Sequence, residues 1–121
     1  MEKTVSFQQL LVWQKVHQFV LVYKTTDLFP QKEMFGLTSQ FRRAAISIAA
    51  NIAEGYKKKD YKNKIHFFNI AQGSLEECKY YVILSKDLND PSDSNLEILS
   101  EEISKLLAAY MRSVAANNSI S

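Results

Sequence analysis

Three glycines and two prolines are all that 121 residues contain. Gly and Pro punctuate turns and strand ends, so a chain this poor in them favours a few long helices over many short strands. The length suits one domain, residues 1–121, able to bury its own core. With no internal repeat and no long linker, the reading is an all-α fold, an antiparallel up-down-up-down four-helix bundle.

Four segments carry it. The first spans about 7–28, with Ser6 and Gln9 as a capping box and Trp13, Val16, Val20 and Tyr23 along one face. Phe29-Pro30 stops it, because a residue before proline leaves the α region. The second spans about 37–54, with Gly55 as its left-handed C-terminal residue. The third spans about 60–88 from Asp60 as N-cap, ending at the turn Asn89-Asp90-Pro91-Ser92-Asp93. The fourth spans about 95–116 on the stripe Leu96, Leu99, Ile103, Leu106 and Tyr110, leaving a frayed tail at 117–121. Short connections place neighbours antiparallel. The 55–60 turn then shares an end with both termini, opposite the 29–36 and 89–94 connections.

Other classes find little support. Cys78 is the single cysteine, which excludes an intramolecular disulfide or a cysteine-based zinc site, and it reads as a small buried thiol. His17 and His66 lack Glu three residues before them, so di-iron bundle pairs are missing, and no metal or cofactor is expected. Glu76 and Glu77 point about 100° apart on a helix and cannot form one acid–base pair. There is no phosphate-cradling glycine loop. The expectation is a non-enzyme. The N-terminus has no apolar core of a secretory signal and no stretch approaches the ~20 apolar residues of a membrane span. A cytoplasmic protein without membrane contact is expected. Tyr80, Tyr81 and the other aromatics recur at helical spacing and read as packing residues rather than as a base-stacking platform.

Helix two is unusual. Phe41, Ala45, Ile48 and Ile52 form a core stripe, while Ile46, Ala49 and Ala53 add a second apolar face about 120–140° away. Two apolar faces imply two buried faces, the second against another subunit. Gln40, Arg43, Ser47, Asn51 and Glu54 form a polar stripe on one side. It is either a solvated face or a hydrogen-bonded seam with helix three. There Gly73-Ser74 would permit close approach, and Glu76 and Glu77 lie level with Arg43, which if buried requires a carboxylate.

These segments also carry a resemblance. Arg42-Arg43-Ala44-Ala45-Ile46-Ser47-Ile48 and Asn51-Ile52-Ala53-Glu54-Gly55-Tyr56 look like the signature of a bacterial four-helix-bundle family encoded by intervening sequences of 23S ribosomal RNA genes. Leu11-Val12-Trp13-Gln14-Lys15, Gly36-Leu37-Thr38-Ser39-Gln40 and Phe67 through Glu77 match in order, covering about 7–88. Ala49 departs from the family, where proline is common, and helix four shows only a generic pattern. The resemblance implies a cyclic homo-oligomer, a pentamer, and a relation to the accessory bundle proteins of diversity-generating retroelements. Those work with a reverse transcriptase, a nucleic-acid-processing enzyme, and bind nucleic acid.

Charge is distributed unevenly although the net charge is only +2. Lys57, Lys58, Lys59, Lys62 and Lys64 surround the 55–60 turn, with Lys3 and Arg112 toward the same end. Asp87, Asp90, Asp93, Glu97, Glu101 and Glu102 gather at the other. In a monomer the lysines read as a solvated turn. In a ring they form a basic rim able to hold RNA or DNA by counterion release, with Arg42 as a further contact. The competing expectation is a scaffold or adaptor for a protein partner, using outward-facing Ile65, Tyr80 and Ile83.

Overall fold

Apolar side chains at three- and four-residue spacing draw four α-helices together in the structure, a computed structural model that describes residues 6–22, 34–89 and 94–120. They are α1 (Leu11–Val22), α2 (Ser39–Lys57), α3 (Tyr61–Asn89) and α4 (Ser94–Ile120). No strand occurs among the described residues, and the all-helical arrangement is consistent with a four-helix bundle. Lys3, Tyr23, Phe29-Pro30 and the turn residues 90–93 lie outside the described residues.

The core takes one stripe from each helix. Val12, Val16 and Phe19 of α1 meet Phe41, Ala45, Ile48 and Ile52 of α2, Ala71, Leu75 and Cys78 of α3, and Leu96, Ile103 and Leu107 of α4. Each large side chain that is fully buried contributes about 1.5–3 kcal/mol relative to exposure. In α1 the stripe is centred on Val12, Val16 and Phe19, while Trp13 and Val20 pack at its edge. Two serines are buried within it, each satisfied by its own helix: Ser85 Oγ donates to the Val82 carbonyl and Ser100 Oγ to the Glu97 carbonyl, both at 2.8 Å.

Several boundaries differ from the sequence reading. Ser6 and Gln9 do form the capping box, with the Gln8 N–H donating to Ser6 Oγ at 3.2 Å and the Ser6 N–H donating to Gln9 Oε1 at 3.4 Å. It caps a 3-10 turn, Phe7–Gln9, and extended Leu10 separates this turn from α1. Phe7 is thereby set edge-on to Trp13, with ring centroids 5.1 Å apart. A π turn, Met34–Thr38, leads into α2. The tail expected to fray instead continues α4 to Ile120. Asp60 begins α3 as expected, its carboxylate accepting from the Asn63 N–H at 3.3 Å and from the Asn63 amide at 2.6 Å.

Gly55 is not a terminal left-handed residue. It is buried inside α2, which runs two residues further to Lys57. A Cβ there would stand 2.4 Å from the Phe68 ring, well inside contact distance. Gly55 therefore lets α3 approach α2 where Phe68 enters the core. Of the pair Gly73-Ser74, read as permitting close approach, Gly73 is exposed and a Cβ on it would meet open space. The contact passes through Ser74, about 100° around the helix. The pairs Gly55 with Phe68, Ser47 with Ser74 and Arg43 with Glu77 show residue numbers falling along α3 as they rise along α2.

Candidate functional site

The α2–α3 connection is only Lys58, Lys59 and Asp60 long, so the last turn of α2 and the first of α3 crowd five lysines together. They do not behave alike. Lys57, Lys59 and Lys62 are exposed, and among the described residues none is held by an ion pair. Lys58 lies 3.9 Å from Glu54 and extends over the Phe67 ring at 5.3 Å. Lys64 turns inward. Its Nζ donates to the Gly55 carbonyl at 3.2 Å and to the Tyr56 carbonyl at 2.8 Å. These are carbonyls that the end of a helix leaves without intrahelical partners, and a cation suits that end of the helix dipole. Burial lowers the Lys64 pKa from its usual 10.5. Lys64 is thus a C-terminal cap of α2, a role the sequence reading missed. Arg42 is exposed on α2, and Arg112 is exposed near the end of α4.

At the opposite end three glutamates are paired, while Asp87 is exposed without an ion pair among the described residues. Glu97 pairs with Lys86, Glu101 with Lys79 at 3.4 Å and Glu102 with Lys15 at 3.3 Å. Lys79 also reaches Glu76 at 3.3 Å and Ser104 at 3.2 Å. Exposed pairs of this kind add at most about 1 kcal/mol each, but they neutralise local charge. Among the described residues the exposed cations without an ion pair are Lys57, Lys59 and Lys62, gathered around one connection, and Lys105 and Arg112 on α4.

Beside those lysines a cleft of about 400 Å³ opens between the end of α2, the start of α3 and the last turns of α4. Tyr56, Tyr61 and Tyr110 line it, with Lys59, Lys64 and Asn117. Tyr110 stands edge-on to Phe68, with centroids 5.2 Å apart, and its pKa is raised by burial and by the neighbouring Tyr56. By helical spacing alone these tyrosines read as packing residues. Only the fold brings three of them to one opening.

The polar stripe of α2 is a partial seam. Ser47 Oγ and Ser74 Oγ lie 2.9 Å apart, and the Asn51 amide donates to the Ser47 carbonyl at 2.8 Å and to Ser47 Oγ at 3.0 Å. Arg43 is held by Gln40 Oε1 at 2.9 Å and reaches Glu77 at 3.4 Å. Its side chain is 66% exposed, so it is not a buried charge seeking a carboxylate. Glu54 and Glu76 stand apart, turned to Lys58 and Lys79. Ser47→Ala should cost about 1 kcal/mol in urea unfolding, because one change removes an acceptor for Asn51 and the partner of Ser74. In Ser47→Ala/Ser74→Ala the cost should be less than the sum of the singles. Strict additivity would show that the serines do not interact.

The second apolar face of α2 is divided. Ala49 packs at the edge of the core, Ala53 lines a groove with Phe7 and Tyr56, and Ile46 stays 47% exposed. The 3-10 turn thus covers part of a face assigned from sequence to a subunit contact. On α3, Tyr80 and Ile83 are more than half exposed, whereas Ile65 is half-buried.

No group of three or more His, Cys, Asp and Glu residues that could hold a metal occurs among the described residues. His17 stacks on Trp13 with centroids 5.0 Å apart, and His66 meets Phe67 edge-on. No helix among the described residues is long and apolar enough to cross a membrane. Cys78 is fully buried, and burial together with the adjacent Glu77 charge pushes its thiol from 9.0 up to about 12. Above pH 9 the unfolded chain loses this proton before the folded one, so Cys78 makes stability fall as pH rises from 9 toward 12. Cys78→Ala should flatten that decline in urea midpoints, and a thiol reagent should label native Cys78 only on unfolding. Labelling of the native protein at its unfolded rate would contradict the burial.

The protein family described as 23S rRNA-intervening sequence protein matches residues 8–111. Among solved structures, the chain is similar to a protein of unknown function from the S23 ribosomal protein family of Bacteroides thetaiotaomicron VPI-5482. Identity is 25%, the TM-score is 0.72, and the match covers 84% of this chain and 96% of that one. No curated protein matches significantly.

Proposed function

The chain belongs to the 23S rRNA-intervening sequence protein family, and from that premise we propose that it is a non-enzymatic, antiparallel four-helix bundle that binds RNA or DNA through its basic end. The observation that carries this reading is the unequal pairing of charge. Glu97, Glu101 and Glu102 are matched by Lys86, Lys79 and Lys15, while Lys57, Lys59 and Lys62 stand in and beside one short connection without ion-pair partners among the described residues. Exposed ammonium groups at such spacing suit a phosphate backbone, whose binding releases condensed counterions. Contacts to phosphate position a nucleic acid without reading its sequence, so the preference among sequences is weak.

The assembly in this reading is a cyclic homo-oligomer, a pentamer, in which every copy sets its basic connection on one rim. Exposed Ile46 supplies apolar area for that contact. The partners are the chain itself, RNA or DNA, and a nucleic-acid-processing enzyme such as the one served by retroelement accessory bundles. The family description and the neighbour's ribosomal family name direct the first tests to RNA.

Light scattering, run with a fluorescence titration against short RNA and DNA at two salt concentrations, tests the reading. The expected result is a mass several times 13.9 kDa and affinity that falls steeply with salt, by about 0.7 log unit per log unit of salt for each phosphate contact on a single strand. A monomer that binds neither would overturn it. Exposed Tyr80 and Ile83 favour the second reading, an adaptor for a protein partner, in which binding persists at high salt.

A further inference from the structure

We propose that the cleft between Tyr56, Tyr61 and Tyr110 receives an unpaired base, so that the ligand is a single strand and not a duplex. This deepens the basic-end reading and rests on it. Half of the chain's six tyrosines meet at this opening. Its volume of about 400 Å³ falls within the ~300–1,000 Å³ of clefts that hold small organic groups.

The chemistry of the walls selects the occupant. The lining combines tyrosine rings, the hydroxyl of Ser113, the amide of Asn117 and the ammonium groups of Lys59 and Lys64, with no carboxylate among the described residues. Aromatic faces stack any base, whereas hydroxyl and amide groups reach a base edge. Lys64 is fixed by two backbone carbonyls and lies over the Tyr56 ring at 5.7 Å, so its charge sits on that side of the cleft and Tyr61 and Tyr110 are left as the stacking rings. Lys59 lines the same cleft, and exposed Lys57 and Lys62 flank it in sequence. A strand whose phosphates follow these lysines would hold its bases level with the tyrosines. A duplex keeps its bases stacked and paired, so it offers the lysines phosphates but puts no base in the cleft.

The test uses the full chain and a labelled ten-nucleotide RNA, alone or hybridised to its complement, by fluorescence anisotropy at one salt concentration. The wild-type protein should bind the single strand at least about tenfold more tightly. Tyr61 opens α3 and is half-buried. Tyr61→Leu should weaken single-strand binding about tenfold, within the range for loss of one stacked base, and leave duplex binding unchanged. Tyr61→Phe, which keeps the ring, should bind like wild type. Equal wild-type affinity for strand and duplex would overturn the cleft while leaving the basic-end reading in place, and this comparison decides even where the leucine variant unfolds. Failure to bind either form would overturn both.

Discussion

Lys57→Glu/Lys59→Glu/Lys62→Glu should lower affinity for short RNA or DNA by at least about 100-fold while leaving helicity and solution mass unchanged. The three side chains are exposed and anchor no ion pair among the described residues, so the fold does not depend on them. Each reversal removes a cation from the proposed phosphate track and adds a repulsive charge, and in the proposed ring every subunit would carry all three changes. Lys58 and Lys64 are better left intact. Lys64 caps α2 through the Gly55 and Tyr56 carbonyls, and its loss would confuse binding with folding. Lys64→Met should instead shorten the helical end of α2 with a modest stability cost. The charge-reversal variant is assayed by titration at low salt beside circular dichroism and light scattering. Unchanged affinity in a folded, normally assembled variant would sink the assignment of these lysines.

Gly55→Val should destabilise the fold by about 3 kcal/mol, at the upper end of overpacking costs, and lower the melting temperature by roughly 10–15 °C for a domain of this size. Valine would improve on glycine as a helix former by a few tenths of a kcal/mol, but steric conflict outweighs this. Even the first carbon would stand 2.4 Å from Phe68 Cε1, and two more methyl groups follow. Phe68 cannot readily swing away, because it is fully buried and packs edge-on to Tyr110. A double-mutant cycle isolates the conflict. Phe68→Ala alone should cost about 3–5 kcal/mol through the cavity it leaves, yet in the Gly55→Val background it should cost clearly less. Additive losses would show that residue 55 and the ring do not compete for space.

The two α2 residues most open to misreading show where sequence periodicity stops. Phe41, Ala45, Ile48 and Ile52 repeat at helical spacing, and all four are fully buried. Ser47, Asn51 and Ser74 also follow from spacing, since the two stripes face each other once α2 and α3 lie side by side. Gly55 sits at a plausible helix end and looks like a C-terminal cap, because its real constraint is a ring thirteen residues away. Lys64 counts as one more lysine in a cluster until the fold points it at α2. Arg43 resembles a buried charge until its side chain proves mostly exposed.

The candidate site divides in the same way. The cluster of lysines is a local property of residues 57–64, held together by a connection too short to separate them. Its contrast with the acidic end is not local. Glu97, Glu101 and Glu102 are neutralised by lysines from α1 and α3, and no pattern within α4 foretells those partners. The tyrosine cleft needs three helices at once, with Tyr56, Tyr61 and Tyr110 drawn from α2, α3 and α4.

By itself the sequence determined the helical class, the four segments, most of the core stripes and the position of the basic connection. Each depends on interactions within a turn or two of the chain, where 3.6-residue periodicity, capping and the scarcity of Gly and Pro act directly. The tertiary structure alone decided which lysines remain unpaired, why residue 55 must be glycine and where the tyrosines converge. Those outcomes depend on distances between groups far apart in sequence, which are set only when the helices pack and each side chain finds the neighbour that the packing supplies.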